Sequence, residues 1–179
     1  MVERNIFAGF GGQGVLLMGQ LLAAAGMKEG KNTSWIPSYG PEMRGGTANC
    51  SVIVSDEPIG SPMVHQADAI VAMNLPSLLK FESEVKPGGV LVVNSSLIDR
   101  KVERDDIKAV YCDANRIAES VKNPKGANVA ILGALMEATE VCDTDKMIEA
   151  IRIELGERKA RFLEGNKAAL AAGMEAARG

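Results

Sequence analysis

The residues most capable of chemistry lie early in the 179-residue chain, at Gly9-Phe10-Gly11-Gly12-Gln13-Gly14. Glycines at this density let the backbone turn sharply and bring free N–H groups close to an anion. An apolar run, Ile6–Phe10, precedes the turn, and Val15–Met27 follows it with helical composition. The glycines therefore fall between a strand and a helix start, where the helix dipole favours phosphate or carboxylate. The spacing fits the G-x-G-x-x-G of dinucleotide sites, but the second part of that pattern is missing. The next strand ends Trp35-Ile36-Pro37-Ser38 with no acid for a ribose hydroxyl, and Glu29 falls before the strand. No Lys-Ser or Lys-Thr follows Gly14, so the turn is not a Walker loop either. Gly9, Gly11, Gly12, Gln13 and Gly14 stand as candidates for an anion or interface role. The competing reading is a turn that only packs helix on strand.

A second loop, Ser38-Tyr39-Gly40-Pro41-Glu42-Met43-Arg44-Gly45-Gly46, follows the second strand. Arg44 can pair bidentately with phosphate or carboxylate, and Tyr39 can stack or donate. If the first two strands are parallel neighbours, this loop sits beside the glycine turn, at the carboxyl edge where open α/β sheets bind ligands. Tyr39, Arg44, Gly45 and Gly46 join the candidate set on that argument; the bland alternative is a solvated loop in which Arg44 pairs with Glu42. Other chemistry is poorly supplied. Cys50, Cys112 and Cys142 are scattered without a C-x-x-C, so neither a cluster nor a zinc ribbon is expected, and they read as reduced, buried thiols of a cytoplasmic protein. The lone His65 has no nucleophile signature around it and reads as structural.

The elements that must position these loops alternate. Strands are expected at Ile6–Phe10, Lys31–Ile36, Asn49–Val54, Asp68–Met73, Val90–Val93 and Lys108–Tyr111, with a helix at Leu75–Glu84 and a turn at Lys86–Gly89. Helices follow at Ala127–Thr139, at Lys146–Leu155 (starting near Asp143 or Thr144 and stopping at Gly156), and at Arg158–Arg178. The pattern predicts an α/β fold: a mixed, mostly parallel sheet in a three-layer sandwich, with a Rossmann-like first βαβ unit and a helical C-terminus. Only Pro37–Gly46 separates the second and third strands, too short and too rich in Gly and Pro for a crossover helix, so those two should be antiparallel. Residues 1–179 read as one domain, with the helices from about 127 packing on the α/β core. The first helix is apolar nearly all round, which asks for cover on a second side by the C-terminal helix or by another subunit.

Charge and composition narrow the partners. Twenty Lys and Arg against 23 Asp and Glu give −3, and aromatic residues are 4% of the chain, so neither a field nor a stacking surface for nucleic acid is present. Residues 5–27 carry no charge, but six glycines, two glutamines and Asn5 interrupt them, so no membrane span or signal sequence is expected.

The paired loops resemble the gamma subunit, or gamma domain, of the 2-oxoacid:ferredoxin oxidoreductases, the pyruvate, 2-oxoglutarate, 2-oxoisovalerate (branched-chain) and indolepyruvate enzymes of anaerobic metabolism. Ile59-Gly60-Ser61-Pro62, Asp68-Ala69, Asn128 with Leu132-Gly133, and Asn166, Ala169 and Gly173 extend the resemblance along almost the whole chain. It implies a subunit of an enzyme that decarboxylates a 2-oxoacid to acyl-CoA and reduces ferredoxin. In that family thiamine diphosphate and Mg2+ are held mainly by alpha and beta parts and the iron–sulfur clusters by beta or delta parts. This chain would then bind no cofactor or metal alone and carry no catalytic residue. It would meet alpha and beta subunits, with delta a further candidate, and shape the path of the co-substrate coenzyme A or the subunit interfaces. The alternative from another class is a stand-alone nucleotide-binding or regulatory Rossmann-like module.

Overall fold

The computed structural model describes residues 1–38 and 47–179. Six strands, β1 (Val2–Phe10), β2 (Asn32–Ser38), β3 (Thr47–Ser55), β4 (Ala67–Ala72), β5 (Val85–Asn94) and β6 (Lys108–Cys112), form one sheet in the order β2-β3-β1-β4-β5-β6. β3 runs antiparallel to both β2 and β1, whereas β1, β4, β5 and β6 are parallel. The mixed sheet and the antiparallel β2–β3 pair follow the expectation from the short connection. The conditional picture of β1 and β2 as neighbours does not hold. They run in the same direction, but β3 folds back between them and pairs with both.

Six α-helices accompany the sheet among the described residues: α1 (Val15–Lys28), α2 (Leu75–Phe81), α3 (Ala114–Ser120), α4 (Ala127–Thr139), α5 (Thr144–Leu155) and α6 (Leu163–Arg178). The layers are unequal. One sheet face, carrying Phe7, Val52, Val71 and Val92, is buried under α1, α3, α4, α5 and α6. The other, carrying Ile6, Ala8, Ile70, Leu91 and Val93, is covered by Leu78 and Phe81 of α2 and by Ile98, Val102 and Ile107 of the β5–β6 connection. Lys86–Gly89, expected as a turn, belongs to β5; a register shift between Ala67 and Ala69 of β4 absorbs the irregularity, with Gly88 at φ +81°. The expected helix from Arg158 begins as a short 3-10 turn, Ala160–Phe162, before α6.

The second cover for α1 is α5, which packs along its flank, rather than α6. On its sheet side Gly19 lies against Trp35 and Cys50, so that an added Cβ would sit 2.8 Å from the Trp35 ring. α4 is the axis of the helical layer, buried at every position from Asn128 to Met136. It meets α6 backbone to backbone: a Cβ at Gly173 would lie 2.6 Å from the carbonyl carbon of Ala130, and one at Gly133 3.1 Å from that of Leu170. These contacts give Gly133 and Gly173 a packing role.

Candidate functional site

The glycine turn lies where β1 ends and the chain paths diverge, through α1 to β2 on one side and from β4 through α2 to β5 on the other. That divergence between β1 and β4 is the switch point at which open α/β sheets hold ligands. Gly12 and Gly14 take φ of +92° and +73°, a region that glycine enters without strain. Gly14 is the N-cap of α1, and no side chain among the described residues caps the first N–H groups of the helix. Gln13 folds back over the turn: its Oε1 accepts from the Phe10 N–H at 2.6 Å and from Asn74 Nδ2 at 3.2 Å. Gly9 permits this, because a Cβ there would lie 2.6 Å from Gln13 Oε1.

Amides from the neighbouring strand ends extend the arrangement. Asn74, just past β4, is buried and caps α2 by accepting from the Ser77 N–H at 3.0 Å. Asn94, the last residue of β5, donates to the Met73 carbonyl at 3.4 Å and to Asn115 Oδ1 at 3.0 Å, while its own oxygen accepts from the N–H groups of Ser96 and Ala114. Asn128, in the first turn of α4, donates to the Gly14 carbonyl at 3.4 Å and so ties α4 to the glycine turn. A polar cleft of about 490 Å³ opens between these groups, lined by Gly12, Gln13, Gly14, Met73, Asn115, Lys125 and Asn128. The N-termini of α1 and α4 both border it, neither with an acidic residue in its first turn; Asn128 Oδ1 accepts from the Val129 N–H of α4 at 2.9 Å. The positive ends of two helices and Lys125 make this an anion-favouring cleft. On the other side of the turn, an apolar hollow of about 290 Å³ is lined by Phe10, Gly11, Leu16, Leu17 and Ala48.

The structure thus brings Gly11, Gly12, Gln13 and Gly14 to a cleft or its rim, with Gly9 acting through packing. Tyr39, Arg44, Gly45 and Gly46 lie outside the described residues. The point where that loop re-enters the sheet is next to the turn, because Thr47 pairs with Phe10 and Ala48 with Gly9. The β3 end of that loop, and not a direct β1–β2 pairing, is what adjoins the turn among the described residues. Sequence reasoning missed Asn74, Asn94, Asn115 and Lys125. A single asparagine closing or directly following an apolar strand was the available signal for the first two; nothing local marks Lys125.

Other titratable groups lie away from the cleft. Burial pushes each of Cys50, Cys112 and Cys142 up to about 12, so they are protonated, poorly nucleophilic thiols. Cys50 and Cys112 lie on strands four positions apart in the sheet, about 19 Å at ~4.8 Å per strand, too far to share a ligand. At the opposite end of β1, burial raises Glu3 to about 7, with the nearby Asp68 charge adding to the rise and Thr139, Asn5 and Lys31 opposing it. Glu3 Oε1 and both polar atoms of Asn5 are buried without hydrogen-bond partners among the described residues. His65 is exposed. No helix is long and apolar enough to cross a membrane among the described residues.

Comparison with known proteins agrees with this fold. A family model described as pyruvate ferredoxin/flavodoxin oxidoreductase matches residues 4–176. The chain is 40% identical over 172 residues to the ketoisovalerate oxidoreductase subunit VorA of Methanothermobacter marburgensis, covering 96% of this chain and 36% of that one. It is 37% identical over 147 residues to the 2-oxoglutarate synthase subunit KorC of Methanocaldococcus jannaschii, covering 80% and 79%. The solved gamma subunit of a keto/oxoacid ferredoxin oxidoreductase from Geobacter sulfurreducens superposes with a TM-score of 0.88 at 31% identity, over 99% of this chain and 97% of that one. The chain spans about a third of the length of the VorA relatives and most of the length of the KorC and gamma relatives. Relatives named as oxidoreductase subunits do not fit a stand-alone regulatory module.

Proposed function

This chain belongs to the pyruvate ferredoxin/flavodoxin oxidoreductase family, and from that premise we propose that it is the gamma-type subunit of a 2-oxoacid:ferredoxin oxidoreductase. The complex oxidatively decarboxylates a 2-oxoacid to its acyl-CoA thioester and passes the electrons to ferredoxin in the cytoplasm. Residues 1–179 act in it as one gamma-type unit. The names of the VorA and KorC relatives support a branched-chain 2-oxoacid or 2-oxoglutarate as the substrate class. Thiamine diphosphate with Mg2+ supplies the decarboxylation chemistry, and iron–sulfur clusters carry the electrons, both on alpha, beta or delta partners. The buried, widely separated cysteines of this chain do not fit a cluster.

The chain's own contribution is to bind and orient. The observation that carries this reading is that the N-terminal ends of α1 and α4 and Lys125 border one cleft at the β1/β4 switch point. Such a cleft suits a phosphate of coenzyme A, with Gly12 leaving the backbone open to close approach, Gly14 making room for the Asn128 amide and Gln13 holding the turn in shape. Arg44, with Tyr39, Gly45 and Gly46, completes this site from the neighbouring loop or clamps a partner subunit. The test is affinity purification of the tagged chain from its native host, followed by an assay of the recovered complex. Companion alpha and beta chains and CoA-dependent ferredoxin reduction with a 2-oxoacid are expected. Recovery of this chain alone at full yield overturns the subunit reading.

A further inference from the structure

We propose that Glu3 and Asn5 hold a structural water molecule in the seam between β1 and the last turn of α4, at the end of β1 opposite the glycine turn. Side chains two apart on a strand share a face, and Glu3 and Asn5 share theirs with Phe7, the face under the helical layer. Asn5 is fully buried and lies in register with Val52 of β3 and Ala69 of β4, both apolar. Its Oδ1 and Nδ2, and Oε1 of Glu3, are buried without a hydrogen-bond partner among the described residues. Glu3 as a whole is only partly buried, so the seam runs from a carboxyl near the surface to an amide with no exposure.

The polar groups that act on Glu3 from the neighbouring elements are committed elsewhere. Thr139, the last residue of α4, donates its hydroxyl to the Leu135 carbonyl at 2.9 Å. Asp68 accepts from the Arg4 N–H at 2.8 Å and pairs with Lys86 at 2.9 Å. Lys31 pairs with Glu29 at 2.8 Å, and Cys142, in the α4–α5 connection, is a protonated thiol pushed up to about 12 by burial. Arg4 alternates with Glu3 and Asn5 along β1 and so projects from the other face. An amide buried with neither its donor nor its acceptor used is strongly disfavoured, and in a polar seam the usual remedy is an internal water that bonds several such groups.

The donor and acceptor count fits one water. A primary amide presents its oxygen, and the N–H on the same side as that oxygen, to a single water that accepts from the N–H and donates back to the oxygen. The second O–H of that water is then available to Glu3 Oε1, which accepts whether the carboxyl is ionised or holds its proton on the other oxygen. All three unpartnered atoms gain a bond. On the β4 side of Asn5 the neighbour is Ala69, which places only a methyl group beside the amide. A metal ion fits less well, because Asn5 offers a donor as well as an acceptor. No group of three or more His, Cys, Asp or Glu able to hold a metal occurs among the described residues.

The site is independent of the subunit reading, and hydration of the full-length chain measured by NMR tests it. NOE and ROE spectra should connect the water resonance to the Asn5 Nδ2 protons, with the opposite signs that mark a water held longer than molecular tumbling. The cross-peak should persist in Thr139→Val, which removes a hydroxyl able to relay magnetisation by proton exchange. It should also persist in Glu3→Gln, which removes the carboxyl proton and keeps an acceptor. Oxygen-17 relaxation dispersion should show about one long-lived water fewer per molecule in Asn5→Leu than in wild type. Absence of the wild-type cross-peak at Asn5, or its loss in either control variant, overturns the proposal, as does unchanged dispersion in a folded Asn5→Leu. If Asn5→Leu does not fold, the wild-type cross-peak and its two controls decide. Loss of the wild-type cross-peak on adding sodium, potassium or ammonium chloride assigns the site to a cation and overturns the proposal too.

Discussion

Gly14→Ala tests whether the glycine turn is held by α4 or merely sits near it. Gly14 has φ +73°, where an alanine costs roughly 1–2 kcal/mol. Its Cβ would also lie 2.8 Å from Asn128 Cγ, so Asn128 must move. Moving it breaks the bond from Asn128 Nδ2 to the Gly14 carbonyl and leaves an amide that is 8% exposed without that partner, a further cost of about 1–3 kcal/mol. The total is about 2–5 kcal/mol. Gly12→Ala is the control, because φ there is +92° but nothing lies within 4 Å of the added Cβ; it should cost only the backbone term, roughly 1–2 kcal/mol. Urea unfolding followed by circular dichroism, with Trp35 fluorescence as a second probe, measures both. In an Asn128→Ala background the excess cost of Gly14→Ala should vanish, giving a coupling of about 1–3 kcal/mol. Equal costs for Gly12→Ala and Gly14→Ala within about 0.5 kcal/mol, or no coupling to Asn128, refute the reasoning.

Three further outcomes follow from the same structure. Because the folded pKa of Glu3 is raised to about 7 from 4.5, its contribution is fully present below pH 4.5 and is lost as pH rises through 7. Urea titrations should therefore show wild type losing up to about 3 kcal/mol relative to Glu3→Gln across that window, and parallel pH profiles would contradict the burial of Glu3. Gly173→Ala should destabilise by roughly 1–3 kcal/mol in thermal or urea melts despite alanine's better helix propensity, because its Cβ meets the Ala130 backbone; a stabilised variant would contradict the close α4–α6 contact. In the reconstituted complex, Lys125→Ala and Arg44→Ala should each raise the KM for coenzyme A, roughly 10- to 100-fold for a lost charge-assisted bond, with CoA-independent decarboxylation unchanged. If either instead weakens subunit association and leaves that KM alone, its side chain is an interface clamp.

Local patterns revealed most of the elements, because capping and periodicity are properties of short segments. α4 spans the expected Ala127–Thr139, and α5 has Asp143 at its N-cap and Gly156 at its C-cap, both named in advance by residue type. Strand order is not local. Nothing in Asn49–Val54 says that β3 will slide between β1 and β2, since any of several pairings buries the same apolar residues. The same limit explains the site. Glycine spacing pointed to the turn, but Asn94 and Asn128 gain meaning only once the sheet order and the α1–α4 contact exist. Glu3, near the chain start and next to Arg4, reads as an exposed charge until α4 is laid over that end of the sheet.

The long-range nature of the site also separates it from the thinner core. The bond from Asn128 to Gly14 joins residues 114 positions apart, and the glycines of α4 and α6 hold the same helical layer closed behind it. A ligand that orders the cleft must therefore act through α1, α4 and the thicker core. The Ser51 side of β3 lies on the other face of the sheet, next to the thinner core and away from that helical layer. Substitutions on one side should leave the other intact: Ser51→Arg should leave the urea midpoint close to wild type, whereas Gly14→Ala should lower it. A Ser51→Arg variant that lowered the midpoint as far as Gly14→Ala would show the cleft and the far face coupled through the sheet, a transmission that separate cores on opposite faces of one sheet do not provide.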